Sequence, residues 1–80
     1  MSPDQCRAAR ALLDWTQAEL GRYANMSPVT IRSFEKGERT PIANNLSAIR
    51  RTFENAGIEF IGGLRPGVRW AKPRDKEPDE

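Results

Sequence analysis

The 80-residue chain contains no histidine and a single cysteine, Cys6. Without a second thiol there is no intramolecular disulfide, and without histidine or a thiol cluster there is no zinc site, so neither staple used by other small domains is open to it. The same two absences remove the commonest general base and the commonest activated nucleophile. No glycine-rich phosphate loop runs between a strand and a helix, no carboxylate pair suggests a cleft, and no enzymatic chemistry is expected. Long hydrophobic runs are missing as well: nothing approaches the roughly 20 apolar residues of a membrane span, and the N-terminus has no secretory apolar run. A cytoplasmic, nucleoid-associated protein without metal, cofactor or membrane contact is therefore expected. No internal repeat is visible. A core this small supplies only a few kcal/mol, which makes a partner subunit the remaining source of stability.

Charge is unevenly placed. Formal net charge is only +2. Residues 22 to 51, however, hold six cations (Arg22, Arg32, Lys36, Arg39, Arg50 and Arg51) against Glu35 and Glu38, a local balance of +4, whereas residues 1 to 21 carry Arg7 and Arg10 against Asp4, Asp14 and Glu19, a balance of −1. An anionic partner approached by the middle of the chain follows from this distribution.

Helix punctuation organises that segment. Thr16 with Glu19 three residues on is a capping box, in which each side chain bonds the other residue's backbone amide, and Trp15 with Leu20 forms the matching hydrophobic staple. Ser27 followed by Pro28 marks a second start, with Met26 and Ile31 as its staple. Between them lies a helix of about two turns, Gln17 to Tyr23, and a three-residue connection in which Asn25 can take the left-handed conformation. The second helix runs from Pro28 to Lys36 and stops at Gly37. Two short helices so joined are a helix-turn-helix. Before them, Ser2 caps a helix from Pro3 to about Leu13 with Cys6, Ala9, Leu12 and Leu13 on one face; Cys6 reads as a small core residue. After them, a helix that begins after Pro41 and continues to about Ala56 carries the stripe Leu46, Ile49 and Phe53 and ends at Gly57.

Beyond Gly57 the pattern changes to two short alternating stretches, Ile58 to Ile61 and Val68 to Trp70, around a glycine-rich loop. The resulting division is a helix-turn-helix unit over 1–57, a strand and dimerisation extension over 58–71, and a charged, disordered tail over 72–80. Because an isolated hairpin is marginal in water, these strands either pack on the helices or pair with a second copy; Ile58, Phe60, Val68 and Trp70 are the expected contacts of a homodimer.

On the second helix of the pair, Ile31 and Phe34 face one way and Pro28, Val29, Arg32, Ser33 and Lys36 the other. A helix projecting such a face fits a major groove about 12 Å wide. With Arg10, Leu13, Thr16, Gln17, Glu19, Leu20, Met26, Ser27, Thr30, Ile31, Phe34, Glu35, Gly37, Arg39 and Pro41 in this order, the stretch from Arg7 to Phe53 resembles the phage repressor and Cro type (lambda-repressor-like, XRE) family of helix-turn-helix regulators. The resemblance implies a mainly α, four-helix domain that binds a double-stranded operator of two half-sites as a homodimer. It implies further that Gln17 touches a phosphate and braces the recognition helix. Ser27 and the segment after Gly37, with Arg39 and Thr40, would hold the backbone, while Pro28, Val29, Arg32 and Ser33 would face bases beside Lys36. An Arg10–Glu35 ion pair tying the first helix to the third is implied in the same way.

The chain departs from that family at two points: Asn25 stands where the turn commonly has glycine, and Pro28 and Val29 replace long polar side chains. Neither of the latter two donates a hydrogen bond. Val29 can contact a thymine methyl and Arg32 can take guanine O6 and N7, which concentrates direct readout on few base pairs and leaves much of the affinity to phosphates and sensitive to salt. A second class of function is a protein-interaction module, such as an antitoxin or antirepressor, holding a protein partner through the apolar Phe60, Leu64 and Trp70.

Overall fold

A computed structural model of the chain describes residues 1–72. Four helices, α1 (Pro3–Leu13), α2 (Gln17–Ala24), α3 (Pro28–Glu35) and α4 (Ala43–Asn55), precede two strands, β1 (Ile58–Ile61) and β2 (Gly67–Trp70). The disorder expected for the tail lies, beyond Lys72, outside the described residues. Among the described residues no helix is long and apolar enough to cross a membrane, and no group of acidic or cysteine side chains could hold a metal ion.

Local chemistry accounts for the starts and stops. Ser2 and Gln5 form a reciprocal capping box at α1, and Thr16 and Glu19 form another at α2. Ser27 accepts from the Val29 amide ahead of α3, with Pro28 in the first turn. Asp14 and Asn25 both take left-handed backbone at the ends of α1 and α2, with φ of 57° and 60°; Asp and Asn are the side-chain-bearing residues best suited to that region. Lys36 caps α3 rather than extending it, and Gly37 follows at φ 74°.

The turn between α2 and α3 depends on a close approach. Gly21 is buried inside α2, its carbonyl accepts from the Met26 amide at 2.7 Å, and a Cβ at this position would lie 2.6 Å from the Met26 carbonyl oxygen. Only glycine lets the turn fold back this tightly onto the helix it leaves.

One core unites all the elements. Cys6 and Ala9 from α1, Leu20 and Ala24 from α2, Ile31 and Phe34 from α3, Ile49 and Phe53 from α4, and Ile58 from β1 are buried together. Phe53 stacks on Trp15 with ring centroids 5.9 Å apart and meets Phe60 edge-on at the same separation. The strands pair antiparallel within the chain, Ile58 opposite Trp70 and Phe60 opposite Val68. Gln5 joins α1 to this hairpin, its Nε2 donating to the carbonyls of Ile61 and Gly67 at 2.8 and 2.9 Å.

The hairpin corrects one expectation. Ile58 is only 1% exposed and belongs to the core, so it has no surface to offer a second copy; Phe60, Val68 and Trp70 are partly buried against the same core. The apolar face of the hairpin serves the chain's own helices because its two-residue connection to α4, Ala56 and Gly57, with φ of 102° at Gly57, folds it directly back.

Candidate nucleic-acid interface

Helix α3 is held by a carboxylate at its C-terminal end. Glu35 is 3% exposed. Its Oε2 accepts from Arg10 Nε at 2.7 Å and from the Cys6 thiol at 3.2 Å, and its Oε1 accepts from Arg10 Nη2 at 2.8 Å and from Gln17 Nε2 at 3.0 Å. Arg7 Nη1 donates to the Glu35 backbone carbonyl. Arg10 also donates to the Trp15 carbonyl at 2.9 Å, which closes the link from α1 through the α1–α2 connection to α3. A carboxylate removed from water costs free energy unless its lone pairs are filled, and here donors from two other helices fill them.

Titration follows from that arrangement. Burial pushes the Glu35 carboxyl upward, but the hydrogen bonds from Arg10, Gln17 and Cys6 together with the Arg10 charge outweigh it, and its pKa lies below the ordinary value of 4.5. The hydrogen bond to Glu35 raises Arg10 despite its partial burial. Desolvation, followed by the hydrogen bond to Glu35, drives the Cys6 thiol far up, so this cysteine stays protonated and acts as a donor rather than a nucleophile.

The outer face of α3 is different in kind. Pro28, Val29, Arg32 and Lys36 are exposed, Val29 at 62%, and Ser33 is half-buried beside them. Ser27 lies exposed at the start of the helix, and Arg39 and Thr40 are exposed in the connection to α4. The Glu38 and Arg39 amides both donate to the Ser33 carbonyl, at 2.9 and 3.4 Å, which wraps this connection against the end of α3. Among the described residues the ion pairs are Arg7–Asp4, Arg10–Glu35, Arg50–Glu54 and Arg69–Glu59. Arg32, Lys36 and Arg39 take part in none of them. Their charge is left to face outward from one side of the molecule, where it raises the potential seen by an approaching polyanion.

The structure thus gathers Pro28, Val29, Arg32, Ser33, Lys36, Arg39 and Thr40 on or beside one helix face. Gln17 stands apart from them in its contact, since its amide points at Glu35. Ile58, Phe60, Val68 and Trp70 lie in the hairpin. Two participants in the Glu35 cluster are not foreseen as such from the sequence, where Cys6 reads as a small core residue and Arg7 only as a charge; the acidic residue late in α3 and the helical spacing of Cys6 and Arg10 on α1 are the only traces the cluster leaves there. Gly21 carries no sequence signal beyond being a glycine inside a helix.

A family profile described as helix-turn-helix matches residues 7–56, more than half of the chain. No curated protein matches it.

Proposed function

The chain belongs to the helix-turn-helix family of the phage repressor and Cro type and is a DNA-binding regulator of that type; from that premise we propose that it is a sequence-specific repressor, without an enzymatic step, that inserts α3 in the major groove. The observation that carries this reading is the set of cations at Arg32, Lys36 and Arg39, exposed and outside every ion pair of the described residues, along the last turn of α3 and just beyond it. Arg32 stands one helical turn after Val29, so both reach the same strip of groove floor. Lys36, Arg39, Thr40 and Ser27 flank it as backbone contacts, and Gln17 transmits a phosphate contact to α3 through Glu35.

The operator has two half-sites about one helical turn apart, read by a homodimer in the cytoplasm. With Ile58 committed to the core, the subunit contact falls to Phe60, Val68 and Trp70, the partly exposed apolar residues of the hairpin, and residues 1–57 carry the DNA contacts. Mobility-shift titration of DNA upstream of the protein's own gene, across a salt series, tests the reading. Arg32→Ala is expected to weaken binding about ten-fold or more, on the scale of one lost bidentate base contact; binding as tight as the parent's would remove α3 from the groove.

A further inference from the structure

A recess of about 100 Å³ lies between α3 and the connection that follows it, lined by Val29, Thr30, Ser33, Arg39 and Pro41. Val29, Thr30 and Pro41 bring apolar groups to its lining, and Ser33 and Arg39 are its most polar members. Neither polar side chain is used elsewhere: no hydrogen bond or ion pair among the described residues engages the Ser33 hydroxyl or the Arg39 guanidinium. The recess exceeds the roughly 10–15 Å³ needed to admit one water-sized group.

We infer that this recess receives the C5-methyl group of a thymine, making Thr30 and Pro41 specificity-determining residues together with Val29. The inference rests on the reading that α3 enters the major groove. Thymine alone among the four bases presents an apolar substituent there, and it presents a hydrogen-bond acceptor, O4, on the adjacent carbon. The lining supplies the complement to both: apolar walls for the methyl, and donors on Ser33 and Arg39 for the oxygen. Arg39 carries five N–H donors and no acceptor, so beside its phosphate contact it can donate to O4, which selects thymine over 5-methylcytosine, whose neighbouring group is an amine donor. The position is also suitable, because the connection after α3 is where cations meet the backbone, and the C5 edge of a pyrimidine lies on the groove wall nearest its own strand.

The test begins with the duplex recovered by selection from a random pool. Each thymine in it is replaced singly by deoxyuridine, which removes only the methyl group, and the dissociation constant is measured by fluorescence anisotropy for the parent and for Val29→Ala, a change at an exposed site. At one position per half-site the parent is expected to lose about four-fold, the effect of withdrawing one methylene-sized group from water, while Val29→Ala binds the thymine and deoxyuridine duplexes alike. Replacing that T·A pair by 5-methylcytosine·G is expected to weaken parent binding further than deoxyuridine does. Equal parent affinity for thymine and deoxyuridine at every position would overturn the inference while leaving groove binding intact. An undiminished deoxyuridine penalty in Val29→Ala, or full affinity for 5-methylcytosine, would overturn it as well. Failure to bind any duplex at low salt would overturn the groove reading and this inference with it.

Discussion

Two groups of charge sit on α3 within one turn of each other and are treated in opposite ways. At its inner end the Glu35 carboxylate is shut away from water with donors from Arg10, Gln17 and Cys6, whereas on its outer face Arg32 and Lys36, with Arg39 just beyond, form no ion pair among the described residues. The first group gives position and the second leaves interaction capacity unspent. A helix that must press on a partner without shifting needs the two together: the buried carboxylate anchors α3 to α1 and α2, and the surface it holds out stays charged because nothing within the chain neutralises it.

The comparison predicts that substitutions on the inner side act on folding and those on the outer side on DNA binding. The largest effect is expected for Glu35→Gln, which leaves Arg10 without its counter-charge and should lower unfolding free energy by about 3 kcal/mol, the low end for breaking a buried pair because Arg10 is partly exposed. Urea denaturation followed by circular dichroism measures it, and an unchanged midpoint would erase the contrast. Gly21→Ala, also on the inner side, drives a Cβ against the Met26 carbonyl and is expected to cost about 2 kcal/mol in the same experiment, typical of overpacking.

Acid offers a test without mutation. The folded-state pKa of Glu35 lies below its ordinary value of 4.5, so the unfolded chain binds the proton more readily. The stabilisation from this carboxylate is complete above the ordinary value and is lost progressively as pH falls through the folded-state pKa. Denaturation midpoints of the parent should therefore drop between neutral pH and pH 3, and Glu35→Gln should lose less over that interval. Parallel pH profiles would place the acid sensitivity elsewhere.

On the outer face, Lys36→Ala and Arg39→Ala are expected to leave the unfolding midpoint unchanged. Each should lower the slope of log affinity against log salt by about 0.9, the contribution of one phosphate contact. A fall in stability instead would show that these cations are used within the fold. The smallest effect is expected from Glu59→Ala in the hairpin. Its pair with Arg69, across an exposed part of the sheet at 2.9 Å, lowers the Glu59 pKa through that hydrogen bond and charge, yet solvent screens it and no shift in the midpoint should be detected.

Much of the helical frame was legible because its signals are local. Capping boxes, Pro28 after Ser27, and glycines at 37 and 57 act on the three or four residues around them, and the observed helices begin and end within two residues of the expected boundaries. Asp14 was missed as a left-handed cap because the same residue serves equally as an acidic surface position, and nothing nearby distinguishes the two. The outward set on α3 followed from helical periodicity, although Ser33 proved half-buried since the connection after Gly37 folds back over it. The hairpin was less readable. Alternation identifies an apolar side without saying what covers it, so Ile58 was assigned to a second copy when it is covered by the helices of its own chain.

By itself the sequence determined where helices start and stop, which residues line each face, and where positive charge accumulates, since these depend on neighbours a few residues apart. Tertiary structure alone decided that Cys6 and Gln17 join Arg10 on Glu35, that Gly21 touches the turn, that Ile58 turns inward, and that Val29 and Pro41 line a recess. Those contacts join residues far apart along the chain, and their distances follow from how packed helices cross rather than from any local pattern.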